Sequence, residues 1–396
     1  MKILVANLGS TSFKYKLFDM PSGVVLARGG MDRIGDSSSR HVYQLGSDAE
    51  IECQCALASH ERAIDEALER LADDPSALPS LKELGAVGFK AVHARSISGV
   101  VALDEDVIER MVSYYPLAPA HNPAYVTAIR QFARVAPCLP LVGCFETAFH
   151  GTMPLRRQLY AVPYDWYENY GVRRYGFHGA SHRYAAERVA ELEGSRTIRH
   201  INCHLGGSSS LCAIKNGVSQ GASHGLTPQG GVPQNNRIGD LDPFAIDLVM
   251  RAEGLTFEAV LEQCGSRSGL LGLCGFNDMR DIEEAAAGGN ERCALAIEVY
   301  TSAIRDYLGS YVVELGGLDV VSFTGGIGQH SATVRQQVLH QLDFLGVEMD
   351  QVLNCQTHSE GSLHAGSSRV HLYVLRTDEE LVVARQTFEF LEVGET

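Results

Sequence analysis

Polar residues that could bind phosphate follow the first apolar run of the sequence. Residues 2–6 read KILVA and residues 7–12 read NLGSTS, after which FKYKLF resumes with alternating apolar residues. Hydroxyl groups and backbone amides on a tight turn between two strands form a concave set of donors that suits phosphate oxygens. Glycine and serine are equally ordinary in a hairpin turn. This stretch alone therefore leaves a phosphate site and a plain hairpin both open.

The same order of residues recurs about half a chain length later. Residues 202–217 read NCHLGGSSSLCAIKNG, which is an apolar strand, Leu-Gly, a run of small hydroxyl residues and a second strand. Such internal repetition predicts two related domains. We expect each domain to open with a hairpin whose turn faces a common cleft.

A third segment, residues 318–339, reads LDVVSFTGGIGQHSATVRQQVL. It predicts an apolar strand, a glycine-rich turn and a helix capped by Ser331, where the backbone could approach an anionic ligand. A dinucleotide-binding fingerprint is the rival interpretation, because Glu348 lies at a suitable distance after Gly328. The G-x-G-x-x-G pattern fails at Ser331, however, and the segment does not open a first βαβ unit. An oxidoreductase is therefore the weaker alternative.

Hydrophobic periodicity predicts two α/β units with mixed sheets flanked by helices. In the first unit we expect helices near 59–72, 104–113 and 123–135 and strands at 86–92 and 139–145. In the second we expect a helix after Ser181, the hairpin of 199–215, helices near 243–253, 292–315 and from about 331, and strands at 318–323 and 369–375. A final helix from about Asp378 is expected to pack back on the first unit.

Composition restricts the classes of partner and compartment. The chain has 396 residues and a formal net charge of -15, which argues against nucleic acid or an anionic membrane as a general partner. The start lacks a signal-peptide pattern and no run of 18 apolar residues occurs, so we expect a cytoplasmic protein. The ten cysteines are scattered and fit reduced core thiols. Cys53 and Cys55 with His60 could suggest a metal site, but no second pair follows at ligand spacing.

Taken together, the motifs resemble those of the acetate kinase family, within the sugar kinase, Hsp70 and actin superfamily, over essentially the whole chain. The similar segments are NLGSTSFKYKLFD, APAHNP at 118–123, ETAFHGTMP at 146–154, YGFHGASH at 175–182, CHLGGSSS, TPQGGVPQNNRIGDLDP, FTGGIGQHS and DEELVVAR. The resemblance implies two duplicated ribonuclease H-like domains, residues 1–148 plus 377–396 and residues 149–376, with a cleft between them. It also implies transfer of the γ-phosphoryl group of ATP to a small carboxylate, giving an acyl phosphate and ADP with Mg²⁺ or Mn²⁺, and a homodimer formed through the second domain.

The resemblance assigns roles residue by residue. It implies a catalytic group of Arg237, His178, Lys90, Glu146 and His121, and an acyl pocket of Val92, Ala120, Phe177 and Pro228. Phosphate and nucleotide would be bound by Asn7, Ser10, Ser12, Lys14, His204, Gly206, Gly207, Ser208, Gly326, Gly328 and Gln329. The metal would be bound by Glu379, supported by Asn7 and Glu146.

Three of these residues also have a purely structural interpretation. His178 could be a hydrogen-bonded histidine beside a turn, and Arg237 could be a surface salt-bridge partner. Glu379 opens a helix, where acidic residues are favoured by the dipole alone.

Departures from the family pattern are concentrated among these residues. Lys90 replaces an arginine and loses its bidentate fork, with Arg95 as a candidate to compensate for it. The other changes are Glu146 for aspartate, Gly207 for asparagine, Asn235 and Asn236 before Arg237, Gln329 and His330 for a Glu-Asn pair, and Ala120 for leucine. The smaller Ala120 leads us to expect an acyl substrate larger or more polar than acetate. The other changes keep open a different phosphoryl donor such as pyrophosphate, or a non-catalytic homologue that binds nucleotide or acyl phosphate.

Overall fold

The chain divides into two units in the computed structural model, which describes residues 1–73, 77–94, 97–115 and 121–394. The first unit consists of Met1–Ala148 and Asp378–Thr396, and the second consists of Phe149–Thr377. All ten cysteines are free thiols. Within the described ranges, no helix combines the length and the apolar character needed to cross a membrane.

The strands of the described residues form two sheets, one in each unit. The first sheet contains β1 (Lys2–Leu8), β2 (Ser12–Asp19), β3 (Val24–Asp32), β4 (Ser39–Leu45), β5 (Ile51–Cys55), β6 (Leu84–Phe89), β7 (Val100–Ala102) and β8 (Leu141–Cys144). The second contains β9 (Arg199–Leu205), β10 (Ser209–Lys215), β11 (Val218–Ala222), β12 (Val320–Thr324), β13 (Gly361–Ser362) and β14 (His371–Val374).

The two sheets share one core topology. The order of the first is β5-β4-β3-β2-β1-β6-β8-β7, and that of the second is β11-β10-β9-β12-β14-β13. In each, an antiparallel three-strand meander continues through its first strand into two parallel strands: β6 and β8 in the first sheet, β12 and β14 in the second. The duplication expected from the repeated hairpin sequence is therefore present in the topology.

Helices pack on both sheets. Those of the described residues are α1 (His60–Ala72), α2 (Glu105–Ser113), α3 (Asn122–Val135), α4 (Leu155–Gln158), α5 (Tyr164–Tyr170), α6 (Gly179–Leu192), α7 (Phe244–Glu253), α8 (Phe257–Ser266), α9 (Gly269–Cys274), α10 (Met279–Ala287), α11 (Glu291–Leu315), α12 (Gly325–His330), α13 (Ala332–Leu339), α14 (Gln351–Gln356) and α15 (Glu379–Gly394). Three short 3₁₀ helices lie at Leu81–Glu83, Ala148–Thr152 and Asp343–Leu345.

Two packing relations place the residues of interest. The last helix, α15, buries Val383 and Ala384 against Ile3 and Val5 of β1, as the sequence predicted. This brings the first turn of α15 to the first unit's sheet. In the second unit, the long helix α11 packs on β9 and β10 and fully buries the side chains of Tyr300, Ile304 and Tyr311.

The glycine-rich segment differs from the prediction. We expected a turn there and a helix only from about residue 331, but α12 begins at Gly325, directly after β12. Only Gly325 has a left-handed backbone, with φ 77°, so the glycines that follow fit a helix without strain. Ser331 does cap the next helix, α13, because its side chain accepts a hydrogen bond from the amide of Val334.

Candidate functional site

The first polar turn is short and leaves its hydroxyl groups at the surface. The amide of Gly9 donates to the carbonyl of Ser12 at 2.9 Å, which closes the turn between β1 and β2. Ser10 and Lys14 are exposed, while Ser12 and Asn7 are partly buried. A side chain at position 9 would place its Cβ 2.6 Å from the Ser12 hydroxyl, so glycine lets the turn close this tightly. The geometry leaves the expected phosphate donors available on one edge of the sheet.

Lys90 lies directly after β6 and contacts two carboxylates. Its Nζ atom is 3.6 Å from Glu146 Oε1 and also pairs with Glu379 at the start of α15. The three side chains are 19%, 7% and 17% exposed. Burial acts to lower the pKa of Lys90, but the two carboxylates outweigh it and raise that pKa well above its ordinary value. The ammonium is therefore charged, and its charge is balanced within the first unit.

Asn7 belongs to a neighbouring polar cluster at the same end of the sheet. Its Oδ1 atom accepts a hydrogen bond from the Tyr125 hydroxyl at 3.3 Å, and its Nδ2 atom is 3.5 Å from Glu380 Oε1. Glu380 also pairs with Lys16, whose ammonium contacts Asp378 as well. The acidic residues at the start of α15 thus bind lysines in addition to any interaction with the helix dipole.

Two glycine-containing segments meet in the second unit. The turn between β9 and β10 lies beside the start of α12, because a Cβ at Gly206 would be 3.8 Å from the amide nitrogen of Gly326. Gly325 permits this approach, since a Cβ there would be only 2.5 Å from the carbonyl oxygen of Leu205. Gly328 and Gln329 follow within α12. The predicted nucleotide loops are therefore adjacent, and their main chains are in near contact.

Asn235 occupies space beside Gly207. Its side-chain Nδ2 atom lies 3.3 Å from the position that a Cβ at residue 207 would take. Its main-chain N–H donates to the Gly207 carbonyl at 3.2 Å. These two positions are among the departures from the family pattern noted in the sequence. The two positions are neighbours in space. The side-chain amide of Asn235 lies beside Gly207, which has no side chain of its own.

Arg237 is a partly buried cation whose side-chain hydrogen-bond partners, within the described part of the chain, are neutral. Its Nη1 atom donates to the Ser208 hydroxyl at 3.1 Å and to the Gln234 side-chain oxygen at 3.2 Å. Burial lowers the pKa of its guanidinium, which stays charged at neutral pH. The ion pairs found among the described residues include none that involves Arg237, so a surface salt bridge does not explain this residue.

His178 is fixed by an unusual backbone and by its neighbours. It precedes α6 with φ 56°, a left-handed conformation that is uncommon for a residue other than glycine. Its Nδ1 atom is 2.8 Å from the Ser210 hydroxyl, and its ring centroid lies 4.2 Å from that of His204. His204 itself is bound through Nδ1 to the Ser181 hydroxyl at 2.7 Å. Both histidines are therefore oriented by buried hydroxyl groups.

The remaining predicted residues are distributed between the two units. Val92 is buried in the first unit, and His121 lies there immediately before α3. Phe177 and Pro228 belong to the second unit, where the Phe177 carbonyl is bound by His150 and the Pro228 carbonyl by Gln234. Arg95 and Ala120 lie outside the described residues.

Sequence reasoning missed several residues that position this chemistry. Tyr125 fixes Asn7, Gln234 fixes Arg237, and Ser210 with His182 fixes His178. His182 was detectable, because it follows His178 by four residues and so lies on the same face of a predicted helix. Gln234 precedes Arg237 by only three residues, whereas Tyr125 and Ser210 come from segments distant from Asn7 and His178, and no sequence pattern connects them.

Comparison with known proteins identifies the family. The model of the acetokinase family matches residues 2–385. The acetate kinase of Carboxydothermus hydrogenoformans is 39% identical over 395 residues, which is 99% of each chain. The solved acetate kinase of Porphyromonas gingivalis superposes with a TM-score of 0.89 at 38% identity, covering 98% of this chain and 99% of the other. A solved propionate kinase from Francisella tularensis gives a TM-score of 0.89 at 32% identity, covering 97% and 98%. The chain therefore belongs to the acetokinase family, a family of ATP-dependent carboxylate kinases.

Proposed function

We propose that this protein transfers the γ-phosphoryl group of ATP to a small aliphatic carboxylate, reversibly, giving an acyl phosphate and ADP. A carboxylate is already ionised at neutral pH, so it needs no general base to become a nucleophile. Catalysis then consists of positioning the reactants and neutralising the charge of the phosphoryl oxygens. Charged side chains and hydrogen-bond donors would therefore carry most of the catalysis.

The main support for this proposal is the electrostatic environment of Arg237. A partly buried guanidinium is unfavourable unless a partner compensates its charge, and here its bound partners are a hydroxyl and an amide oxygen. Ser208 and Gln234 orient the planar group and leave its charge for an anion. A phosphoryl group or a carboxylate fits this role, because each can accept two parallel hydrogen bonds from a guanidinium.

The donor chemistry of the first unit fits a divalent cation. Among the described residues no ready-made cluster of three or more metal-binding side chains occurs, and Mg²⁺ typically takes one or two carboxylates and keeps several waters. Glu379, Glu146 and the Asn7 oxygen are the residues that would hold it. The two lysines there, Lys90 and Lys16, contact four carboxylates in all, those of Glu146, Glu379, Asp378 and Glu380, so negative charge is in excess. When bound, the ion would neutralise charge on the phosphates of ATP.

The proposed acceptor is an acyl group larger or more polar than acetate. Support comes from the sequence at Ala120, where the resemblance to the family implies a leucine. A change of one methylene in an apolar pocket is worth about 1–3 kcal/mol. The preference over acetate is therefore expected to be about tenfold to two-hundredfold in kcat/KM.

The experiment is acyl phosphate formation, trapped as the hydroxamate, with ATP and Mg²⁺ against acetate, propionate, butyrate and hydroxylated acids. Arg237→Lys is expected to lower kcat about a hundredfold, the usual cost of losing a charge-stabilising donor. Arg280→Lys is the matched control, since Arg280 pairs with Asp278 and its side chain is 86% exposed. Highest efficiency with acetate would remove the acyl preference. Activity with pyrophosphate but none with ATP would overturn the assignment of the phosphoryl donor.

We also propose that the protein is a cytoplasmic homodimer. The ten free thiols support the compartment. Helix α7 supports an interface with a second copy, because none of its residues is buried and Phe244 and Leu248 are 81% and 68% exposed. Light scattering should give the mass of a dimer, and Phe244→Glu should shift it toward the monomer. A monomeric wild-type protein would refute this.

A further inference from the structure

Ser210 connects His178 to a second, fully buried histidine. The Ser210 hydroxyl lies 2.8 Å from His178 Nδ1 and 2.9 Å from His182 Nε2, and both Ser210 and His182 are completely buried. One hydroxyl proton is available between these two ring nitrogens. The direction in which Ser210 donates therefore couples the protonation of the two histidines.

Further hydrogen bonds link His182 to Asn202, Ser322 and His200. Its Nδ1 atom is 2.8 Å from Asn202 Nδ2, and Asn202 Oδ1 accepts from the Ser322 hydroxyl at 2.7 Å. Ser322 Oγ in turn lies 2.7 Å from His200 Nε2. We call this series the His178 chain; it runs His200, Ser322, Asn202, His182, Ser210, His178.

Asn202 sets the direction of the His178 chain. An asparagine amide has two hydrogens on nitrogen, and the Nδ2 side faces two acceptors, His182 Nδ1 and Thr324 Oγ1 at 3.4 Å. The Oδ1 side faces the Ser322 hydroxyl. Turning the amide around would direct two hydrogens at one hydroxyl and leave one of them unsatisfied. The observed orientation satisfies both ends, and it makes His182 Nδ1 an acceptor.

The far end of the chain favours the same direction. His200 Nδ1 is buried and has no hydrogen-bond partner among the described residues. With His200 donating from Nε2 to Ser322, that orphan atom is a bare lone pair; in the reverse direction it would be an unsatisfied N–H, and buried N–H groups are rarely left unpaired. Burial lowers the pKa of His200 to about 3 and also lowers that of His182 well below its usual range, so both rings are neutral.

We propose that the His178 chain holds His178 as a neutral imidazole with its proton on Nε2, and that Ser210 and His182 are positioning residues for it. His182 accepts at Nδ1 and so donates from Nε2 to Ser210. The Ser210 hydroxyl then donates to His178 Nδ1, which leaves the His178 proton on Nε2. If the proposed phosphoryl transfer is correct, His178 serves as a fixed hydrogen-bond donor to a phosphoryl oxygen. It is not a cation, because its Nδ1 atom accepts the hydrogen bond from Ser210. It is also not an acid that gives its Nε2 proton away, because that loss would require every hydrogen bond of the chain to reverse.

Nitrogen NMR of the ¹⁵N-histidine-labelled full-length protein tests the tautomers directly, because protonated and bare ring nitrogens differ widely in chemical shift. The expected result at neutral pH is protonation of Nε2 alone in His178, His182 and His200. Protonation on Nδ1 in these rings, or an imidazolium at His178, would overturn the proposal even in the wild-type protein. This measurement needs no activity, so an inactive protein with the expected tautomers would count against the proposed function and leave the His178 chain intact.

Ser210→Ala tests whether the chain positions His178. We expect the His178 nitrogens to shift toward a mixture of tautomers and kcat to fall about tenfold, as when the residue that orients a functional histidine is removed. Ser219→Ala is the matched control: Ser219 is also fully buried and its hydroxyl lies 3.0 Å from His150 Nδ1, outside the chain. Unchanged His178 signals in Ser210→Ala, or equal changes in both variants, would refute the positioning role.

Discussion

Replacing Lys90 with methionine removes the ammonium that Glu146 and Glu379 share. Removing one partner of a buried ion pair costs about 3–5 kcal/mol, because a charge is left in a poorly solvated place. The Lys90 side chain keeps 19% of its surface exposed, so the lower end, about 3 kcal/mol, is expected. At roughly 2–4 °C per kcal/mol for a unit of this size, the unfolding temperature of the first unit should fall by about 6–12 °C.

The sign of the pH dependence follows from the raised pKa of Lys90. A basic group whose pKa is higher in the folded protein stabilises it fully below the unfolded pKa, and this contribution is lost only as the pH rises through the folded value. The difference between wild type and Lys90→Met should therefore stay constant from about pH 6 to 9. A difference that shrinks within this window would mean that the ammonium does not hold its proton as the geometry requires.

Calorimetry and urea denaturation measure both quantities, and Lys2→Met supplies the control. Lys2 pairs with Glu83 at 3.2 Å, but Glu83 is 52% exposed, and such exposed pairs contribute less than about 1 kcal/mol. Equal stability of the two variants would refute the argument. Mg²⁺ should raise the unfolding temperature of Lys90→Met more than that of the wild type, because a cation can then take the place of the ammonium. No difference in the effect of Mg²⁺ would count against Glu146 and Glu379 as metal ligands.

Three further results are expected. Gly325→Ala should cost about 2 kcal/mol or more in denaturation experiments, because φ is 77° and the new Cβ would be 2.5 Å from a main-chain oxygen; a loss below 1 kcal/mol would contradict this. Arg335→Met should cost about 3 kcal/mol, since the fully buried guanidinium donates to main-chain carbonyls at α12 and α14 that would lose their partner; an unchanged denaturation midpoint would contradict this. Acid should destabilise the second unit below about pH 6.5, because burial lowers the pKa of three histidines to between about 3 and 4, so that unfolding takes up about three protons near pH 5; a pH-independent midpoint between pH 6.5 and 4.5 would contradict it. The three histidines are His150, His200 and His224.

The sequence predicted those parts of the fold in which local pattern and tertiary environment agree. Strong amphipathic periodicity located α1, α2, α3 and α11 to within two residues, and the repeated hairpin predicted the duplication. Strands β3, β4 and β5 were missed. They lie toward the outer edge of the first sheet, where β3 contains Gly29 and Gly30 and β5 reads IECQC, so neither strand shows a clear alternation.

The candidate site was predictable as a set of residues but not as an arrangement. Lys90, Glu146 and Glu379 come from three distant segments. The pairing of β6 with β8 brings Lys90 to Glu146, and the return of α15 to the first sheet adds Glu379. The effect of the Gly207 change was hidden for the same reason, since the space it leaves faces Asn235. Electrostatic partners depend on tertiary contacts, and a single sequence does not contain them.

Lys90 and Arg237 were given similar roles from the sequence, but the structure places them in opposite electrostatic states. The charge of Lys90 is balanced by two carboxylates, whereas that of Arg237 is surrounded by a hydroxyl and an amide. On the proposed function, Arg237 would be available to an anion without any rearrangement of charge, whereas Lys90 would become available only if Glu146 and Glu379 gained another cation. The ratio of the wild-type kcat to that of Lys90→Met should therefore fall as the Mg²⁺ concentration rises. The corresponding ratio for Arg237→Lys should stay constant. Steady-state kinetics of Lys90→Met and Arg237→Lys across a Mg²⁺ titration separates the two cases, and an identical Mg²⁺ response in both variants would show that the difference in charge balance has no bearing on catalysis.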